Sequence, residues 1–299
     1  MSDMNVSFPH LGISLNINNV AFSIGDYHIY WYGIIIGIGF ILAFIYAMMS
    51  LKRFKIPSEK FLDCVIVGLI TAIIGARLYY VFFSWDFYSS HPDKIFAIHD
   101  GGLAIYGGLI GALLGGCIIA KILKLNIPAI LDVASLGFLI GQGIGRWGNF
   151  INQEAFGTET NLPWGMMSEN TGGVTVHPCF LYESLWCLLG FVLLHFFSKK
   201  FQKYYGQIFL LYLVWYGFER MIVEGLRTDS LYTPFLNLRV SQILSAVVMI
   251  AGIVIVLLIV LYAFFVIRKK HKDIKNGGCG CGCSGCSGKS GCGSRLKEK

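Results

Sequence analysis

Seven long apolar runs dominate this sequence, and each is long enough to cross a lipid bilayer. They lie at about 29–49, 61–83, 103–122, 128–147, 179–197, 206–223 and 241–267. A helix needs roughly 20 apolar residues to span the hydrocarbon core. The chain is 14% charged, whereas soluble domains carry about 25% charged residues. We therefore expect an all-α integral membrane protein with seven transmembrane helices, and we exclude a soluble enzyme.

Lys and Arg are distributed unequally between the two sides that alternate spans define. The loops after the first, third and fifth runs and the segment after the seventh hold most of them, whereas the other loops hold only Lys94, Arg227 and Arg239. Because basic residues are retained in the cytoplasm, we expect the N-terminus outside and the C-terminus inside. The net charge of +7 then serves to orient helices, and we expect no nucleic-acid partner.

The predicted organisation has three parts, of which the last is unusual in composition. An outer interfacial segment at 1–28 precedes a seven-span transmembrane domain at 29–267, and a cytoplasmic tail follows at 268–299. The tail is rich in Gly and Cys and too poor in apolar residues to fold, so we expect it to be disordered. Closely spaced thiols also suit a soft metal ion, but their spacing fits no zinc-finger pattern. We favour a flexible tail and expect neither a metal nor a cofactor.

Three arginines interrupt the second, fourth and sixth runs. Arg77, Arg146 and Arg220 should all reach the outer third of the bilayer, level with the starts of the spans that enter from outside. A charged side chain inside a span costs about 2.5–3.5 kcal/mol on insertion scales. The arginines could snorkel to the interface, or pair with acids such as Glu183 and Glu224 to hold helices together. Their shared depth instead favours a phospholipid phosphate, which Arg binds bidentately.

The densest cluster of polar residues follows the fourth run, in the segment Gly141–Gly157. On a helix, Arg146, Asn149 and Gln153 fall on one face, and Glu154 follows where the helix leaves the membrane. Small-residue helix packing explains the glycines of this segment. It does not explain a cation, an amide and an acid so close together, so we predict a binding site here.

Three further clusters lie at the ends of other runs. In the segment Trp215–Arg227, the residues Arg220, Glu224 and Arg227 line one helix face, whereas Glu219 points elsewhere and is expected to be a packing partner. The segment His177–Glu183 opens the fifth run, and Gly101–Gly111 opens the third and presents Tyr106.

Several of these segments resemble the bacterial prolipoprotein diacylglyceryl transferase family. The run GRWGNFINQEAFG is similar to the signature of that family, and similarity extends to IYWYG, GAR, GGLAIYGGLIG, HPCFLYE and RMIVEGLR in the expected order over about residues 20–265. The resemblance implies a seven-span enzyme of the bacterial cell membrane. It would move diacylglycerol from phosphatidylglycerol to the lipobox cysteine in the signal peptide of a prolipoprotein, with its active site towards the outer leaflet.

The resemblance also implies which residues act. Matching the motifs gives as functional positions Tyr32, Arg77, Arg146, Asn149, Glu154, Gly157, Arg220 and Glu224. Some family members carry a histidine, proposed as the base, where this chain has Tyr106, and a tyrosine near pKa 10 is a poor base at neutral pH. The predicted catalytic set is Tyr106, Arg146, Asn149, Glu154, Arg220 and Glu224. The predicted substrate-binding set is Tyr32, Arg77, Arg146, Gly157, His177 and Arg220.

The expected chemistry is displacement at carbon by the thiolate of the acceptor cysteine, with glycerol phosphate as the leaving group. The sequence does not rank Glu154, Glu224, Tyr106 and His177 as the proton acceptor. A transporter or channel for a small anion is the main alternative. Transporters place their sites near the midplane between repeats, whereas here the cations lie high and the sequence shows no repeat.

Overall fold

Helices make up most of the computed structural model, which describes residues 4–98, 101–229 and 239–275. The helices are α1 (Trp31–Phe54), α2 (Ser58–Phe83), α3 (Trp85–Ser90), α4 (Ile105–Ile122), α5 (Ile127–Asn152), α6 (Cys179–Lys200), α7 (Gln207–Leu226) and α8 (Val240–Lys275). The Gly- and Cys-rich tail from residue 276 onward lies outside the described residues. The residues up to Met249 form one compact unit, and those from Ile250 form a second.

Six helices in the described part of the chain are long and apolar enough to cross a membrane. They are α1, α2, α4, α5, α6 and the part of α8 at Val240–Arg268. Each coincides with one of the seven predicted runs. The remaining run, at 206–223, is helix α7, whose 20 residues include Glu219, Arg220 and Glu224. These charges make α7 too polar to count as a span on composition alone.

The N-terminal segment contains β-strands, so the expected all-α architecture holds only for the spanning helices. Strands β1 (Met4–Phe8), β2 (Ile13–Ile17) and β5 (Met167–Ser168) form a sheet in the order β2-β1-β5, with both pairs antiparallel. Strands β3 (Val20–Ile24) and β4 (Tyr27–Tyr30) form a hairpin. Val6 of β1 is fully buried in an apolar cluster with Phe150, Met166 and Phe180. Residues 4–30 are rich in residues that favour turns, and the sequence therefore did not predict these strands. Burial of apolar side chains such as Val6 stabilises them nevertheless.

Helix α5 is the central helix of the first unit, because it contacts α1, α4, α6 and α7. Its start is defined locally, since the Asn126 side chain accepts a hydrogen bond from the main-chain N–H of Ala129 at 3.2 Å and Pro128 occupies the first turn. Its Gly143 carbonyl accepts a 2.7 Å hydrogen bond from Ser184 of α6. This hydrogen bond joins the C-terminal half of α5 to α6.

Helices α6 and α7 are joined by a reciprocal pair of tryptophans. The rings of Trp186 and Trp215 stack with centroids 4.4 Å apart, and each indole N–H donates to the main-chain carbonyl of the other residue at 3.1 Å. At the start of α7, Asp132 of α5 accepts hydrogen bonds from the main-chain N–H groups of Gly206 and Phe209 at 2.7 and 2.9 Å. These contacts fix α7 against α5 and α6 along its length.

Candidate active site

A single buried carboxylate, Glu183 of α6, lies at the centre of three arginines. Its Oε2 forms an ion pair with Arg146 Nε of α5, and its Oε1 lies 3.0 Å from Arg220 Nη1 of α7. Arg227 Nη1, at the end of α7, lies 3.8 Å from the same Oε1. The side chain of Glu183 is only 2% exposed. Three segments that are distant in sequence thus bring charged side chains together. We call the group formed by Arg146, Glu183, Arg220 and Arg227 the arginine cluster.

The arginine cluster extends towards solvent through side chains at the end of α5. Arg146 Nη1 donates to Asn149 Oδ1 at 3.5 Å, and Asn149 Nδ2 donates to Glu154 Oε1 at 2.9 Å. Asn152 Nδ2 also approaches Glu154 Oε1, at 3.5 Å. The structure therefore brings together Arg146, Asn149 and Glu154, as their spacing predicts. Gln153 departs from that face, because α5 ends there and its φ of 51° turns the chain away.

The far side of the arginine cluster is held by two acids of the Trp215–Arg227 segment and the loop after it. Arg220 Nη2 lies 2.7 Å from Glu224 Oε2 at the i, i+4 spacing that the sequence predicts. Arg227 binds Asp229 with two contacts, Nε to Oδ1 at 2.8 Å and Nη2 to Oδ2 at 2.6 Å. This bond with Arg227 lowers the pKa of the Asp229 carboxyl below its usual value. Glu224 and Asp229 thus neutralise the charges of Arg220 and Arg227, respectively.

Gly157 and His177 lie beside Arg227 at a junction of loops. Gly157 pairs with Arg227 in an antiparallel bridge, and its main-chain N–H donates to the carbonyl of His177 at 2.9 Å. A Cβ at position 157 would lie 2.7 Å from the Cβ of His177, so no larger residue fits without a shift. The His177 imidazole lies 3.2 Å from Tyr182 Oη, and burial lowers its pKa. It is consequently neutral at physiological pH.

Tyr32 lies on the opposite face of α5, at the side of a groove of about 630 Å³. Its ring packs on Gly148, where an added Cβ would come within 2.7 Å of the ring. Asn152, which approaches Glu154, lines the same groove. The groove therefore reaches the hydrogen-bonded chain that ends the arginine cluster.

Tyr106, which the sequence analysis left open as a possible proton acceptor, contacts a serine of α8. Its hydroxyl lies 3.1 Å from the hydroxyl of Ser241 at the start of α8. The two hydroxyls tie α4 to α8 within the first unit. Among the described residues, Tyr106 makes no hydrogen bond to the arginine cluster.

Arg77, which the sequence predicts to bind substrate, makes its hydrogen bonds in this structure with main-chain carbonyls of the protein. Arg77 is 6% exposed, and its Nε and Nη atoms donate to five main-chain carbonyls of the loop after α3. The acceptors are Lys94, Ile95, Ala97, Gly101 and Gly102, at 2.6–3.2 Å. A guanidinium has five N–H donors, so none remains for a phosphate. Arg77 orders this loop instead.

Sequence reasoning missed Glu183 as the organising residue of the site. The sequence predicts for Glu183 only an ion pair that holds helices together. A signal was present, because Glu183 is the only acid in the 22 residues of α6 and therefore a costly residue that needs partners in the membrane. Its connection to Arg146 and Arg220 depends on how three helices pack, which the sequence alone does not determine.

These features define a class of protein: a polytopic membrane protein with a buried cluster of arginines that is suited to an anionic group of a lipid. Comparison with known families makes the assignment specific. Residues 19–258 match the model of the prolipoprotein diacylglyceryl transferase family. The chain belongs to this family. A second model, that of the FeoB-associated Cys-rich membrane protein, matches residues 249–293, which include most of the Gly- and Cys-rich tail.

Curated relatives agree with the family match. The chain is 47% identical over 239 residues to the phosphatidylglycerol–prolipoprotein diacylglyceryl transferase of Finegoldia magna, covering 80% of this chain and 94% of the relative. It is 44% identical over 257 residues to the enzyme of that name from Clostridioides difficile, covering 86% and 98%. A Bacillus cereus relative of the same name is 41% identical over 269 residues, covering 87% and 95%.

Proposed function

We propose that this chain transfers the diacylglyceryl group of phosphatidylglycerol to the thiol of a lipobox cysteine in a prolipoprotein. The observation that carries the proposal is the convergence of Arg146, Arg220 and Arg227 on Glu183 in a member of this transferase family. Guanidinium groups suit phosphate oxygens because their N–H donors are planar and paired. The arginine cluster is therefore the binding site for the phosphate of the lipid.

The reaction is balanced by one bond formed and one broken. The cysteine sulfur forms a bond to the glyceryl carbon of the lipid, and the bond between that carbon and the phosphate oxygen breaks. The electron pair leaves with glycerol phosphate, and the thiol proton passes to a base. Negative charge grows on the phosphate as it leaves, so Arg146 and Arg220 stabilise the transition state more than the bound lipid.

The surrounding residues then take separate roles. Asn149 orients Arg146, and Glu154 receives the thiol proton, because Glu154 is exposed whereas Glu224 is 2% exposed and paired with Arg220. Tyr32 lines the groove by which substrate reaches Glu154. Gly157 and His177 position Arg227 through their loop junction. Tyr106 donates a hydrogen bond rather than acting as the base.

The orientation proposed for the chain follows from its basic residues. Helix α7 is the sixth span along the chain and brings the number of spans to seven, and its Arg220 contacts both Glu183 and Glu224 rather than lipid. With the basic loops in the cytoplasm, the arginine cluster lies towards the outer leaflet of the bacterial cell membrane. The signal peptide of a prolipoprotein presents its cysteine at that level.

A direct assay tests the function. Purified protein is incubated with phosphatidylglycerol and a peptide that carries a lipobox cysteine, and glycerol phosphate release and the mass of the peptide are measured. We expect both the release and a thioether-linked diacylglyceryl group, and neither with a Cys→Ser peptide or with phosphatidylcholine. A protein that instead passes small anions across liposomes without modifying the peptide would support the transporter alternative.

A further inference from the structure

A further buried acid, Glu219 of α7, lies next to the arginine cluster and has no hydrogen-bonded partner among the described residues. The residue is 4% exposed. Within the described residues, neither of its carboxyl oxygens has a hydrogen-bond partner. Glu183 and Glu224 differ from it, because each contacts a guanidinium directly. A buried carboxylate that lacks both donors and a paired cation is strongly disfavoured in its charged form.

Glu219 is nevertheless close enough to feel the charges of the site. It interacts electrostatically with Glu183 on α6 and with Arg146, Arg220 and Arg227. The sequence had suggested that Glu219 points elsewhere and only packs. The structure places Glu219 in the shared interior of α5, α6 and α7. Its protonation state therefore affects the electrostatic potential at the arginine cluster.

The balance of charge in the arginine cluster decides which form of Glu219 suits an anionic ligand. The three cations Arg146, Arg220 and Arg227 are matched by three acids in direct contact, which are Glu183, Glu224 and Asp229. At the edge, Glu154 and Arg239 add one charge of each sign. An ionised Glu219 would make this group net negative and would repel a phosphodiester. A neutral Glu219 leaves the group balanced.

We propose that Glu219 is a neutral carboxylic acid in the resting enzyme, and that its neutrality allows Arg146 and Arg220 to bind the lipid phosphate. Glu219 is thus a positioning residue, because it acts through the arginines and not on the reacting atoms. The inference depends on the proposed function for the identity of the ligand. The protonation state itself does not depend on it.

The groups that face Glu219 determine how its charge responds to pH. They are Arg146 of α5, Glu183 and Cys187 of α6, Tyr212, Tyr216 and Arg220 of α7, and Arg227, which directly follows α7. The arginines favour the ionised form of Glu219, whereas Glu183 and burial oppose it. As the pH rises and Glu219 loses its proton, binding of phosphatidylglycerol should weaken.

Infrared spectroscopy tests the protonation state without using activity. The parent protein should show a C=O stretch of a protonated carboxyl at neutral pH that is absent from Glu219→Gln. The matched control Glu169→Gln, which alters an exposed acid, should keep this band. Identical carboxyl bands in the parent and in Glu219→Gln would overturn the proposal. If the glutamine variant does not fold, Glu219→Met provides the same comparison.

Kinetics tests the effect on phosphate binding. Glutamine imitates a neutral carboxyl, so Glu219→Gln should keep kcat and the KM for phosphatidylglycerol within about threefold of the parent at neutral pH. The KM of the parent should rise at alkaline pH, and that of the variant should not. A folded Glu219→Gln or Glu219→Met variant that loses about 100-fold or more in kcat would overturn the proposal. An inactive parent would contradict the proposed function and leave the infrared result to decide this one.

Discussion

Arg220 Nη1 lies 3.0 Å from Glu183 Oε1, and this contact joins α7 to α6 through two charges that are almost removed from solvent. Glu183 also pairs with Arg146, so one carboxylate holds guanidinium groups from two other helices. Separating such buried charges from one another is more costly than replacing them all together. The positions of Arg146 and Arg220, the two arginines proposed to bind the phosphate, therefore depend on Glu183.

Replacing Glu183 by glutamine should damage both stability and activity. The change leaves Arg146 and Arg220 buried beside a neutral amide, and loss of one partner of a buried pair costs about 3–5 kcal/mol. We expect a lower thermal unfolding temperature in detergent and a loss of transfer of at least about 100-fold. Glu159→Gln, at an exposed acid, is the matched control. Wild-type kinetics with Glu183→Gln would show that the arginines hold their positions without it.

Replacing Arg146 by lysine should leave little transfer activity. Arg146 contacts Glu183 through Nε and Asn149 through Nη1, and a single ammonium group cannot reproduce this fork. We expect Arg146→Ala to abolish transfer in the peptide assay and Arg146→Lys to retain only a small fraction. Near-normal turnover of the lysine variant would mean that the site needs charge alone.

The control for Arg146 should be an arginine outside the site. Arg239 is unsuitable, because it donates to the main-chain carbonyl of Glu224, a residue of the site. Arg268→Ala is better matched, since Arg268 is exposed and lies over the ring of Phe264. We expect this variant to keep full activity.

Comparing Tyr106→Phe with Ser241→Ala separates two roles of one hydroxyl. If the Tyr106 hydroxyl acts only through Ser241, both variants lose the same hydrogen bond, which is worth about 0.5–1.5 kcal/mol. We expect Tyr106→Phe to lose more, roughly ten- to hundred-fold in rate, because it also donates to substrate or leaving group. Equal losses in the two variants would remove Tyr106 from the catalytic set.

The stability of the protein should fall in acid through Asp229. The bond with Arg227 lowers the pKa of Asp229 in the folded state, so its stabilising effect is present above the pKa of an unfolded aspartate. The effect is lost as the pH falls through the lower, folded value. Thermal unfolding measured from neutral to acidic pH should therefore show a smaller decrease in Asp229→Asn than in the parent. Parallel curves would contradict the prediction.

Truncation after Lys275 should leave transfer activity intact. The deleted Gly- and Cys-rich segment follows the last span, and the proposed orientation places it a membrane's width, about 30 Å of hydrocarbon, from the arginine cluster. The assay is peptide modification by truncated and full-length protein at equal membrane content. A truncated protein that inserts normally but is inactive would assign the tail a role in transfer.

Helix periodicity allowed part of the site to be predicted from sequence. The spacings of Arg146 to Asn149 and of Arg220 to Glu224 place each pair on one helix face, and both contacts occur in the structure. These predictions succeeded because each involves residues within two turns of one helix. Their geometry does not depend on the rest of the fold.

Contacts between distant segments could not be predicted in this way. Arg77 was grouped with the other arginines by depth, yet its donors are all taken by the loop that ends at Gly102. Glu219 was assigned to packing from its helix angle alone, although the approach of α5 and α6 gives it a charged environment. Depth in the membrane and angle around a helix axis each give only part of the position of a side chain. Which residues the side chain contacts also depends on how the helices and loops pack together, and the sequence patterns used here do not determine that packing.

The pairing of β1 with both β2 and β5 imposes an order on the assembly of the protein. Strands β1 and β2 lie ahead of the first long helix, whereas β5 follows α5 in the chain. At synthesis rates of about 5–20 residues per second, β5 emerges on the order of ten seconds after β1. Until then β1 has an open edge on the side away from β2. Strand β1 therefore reaches its final pairing only after α1, α2, α4 and α5 have been synthesised.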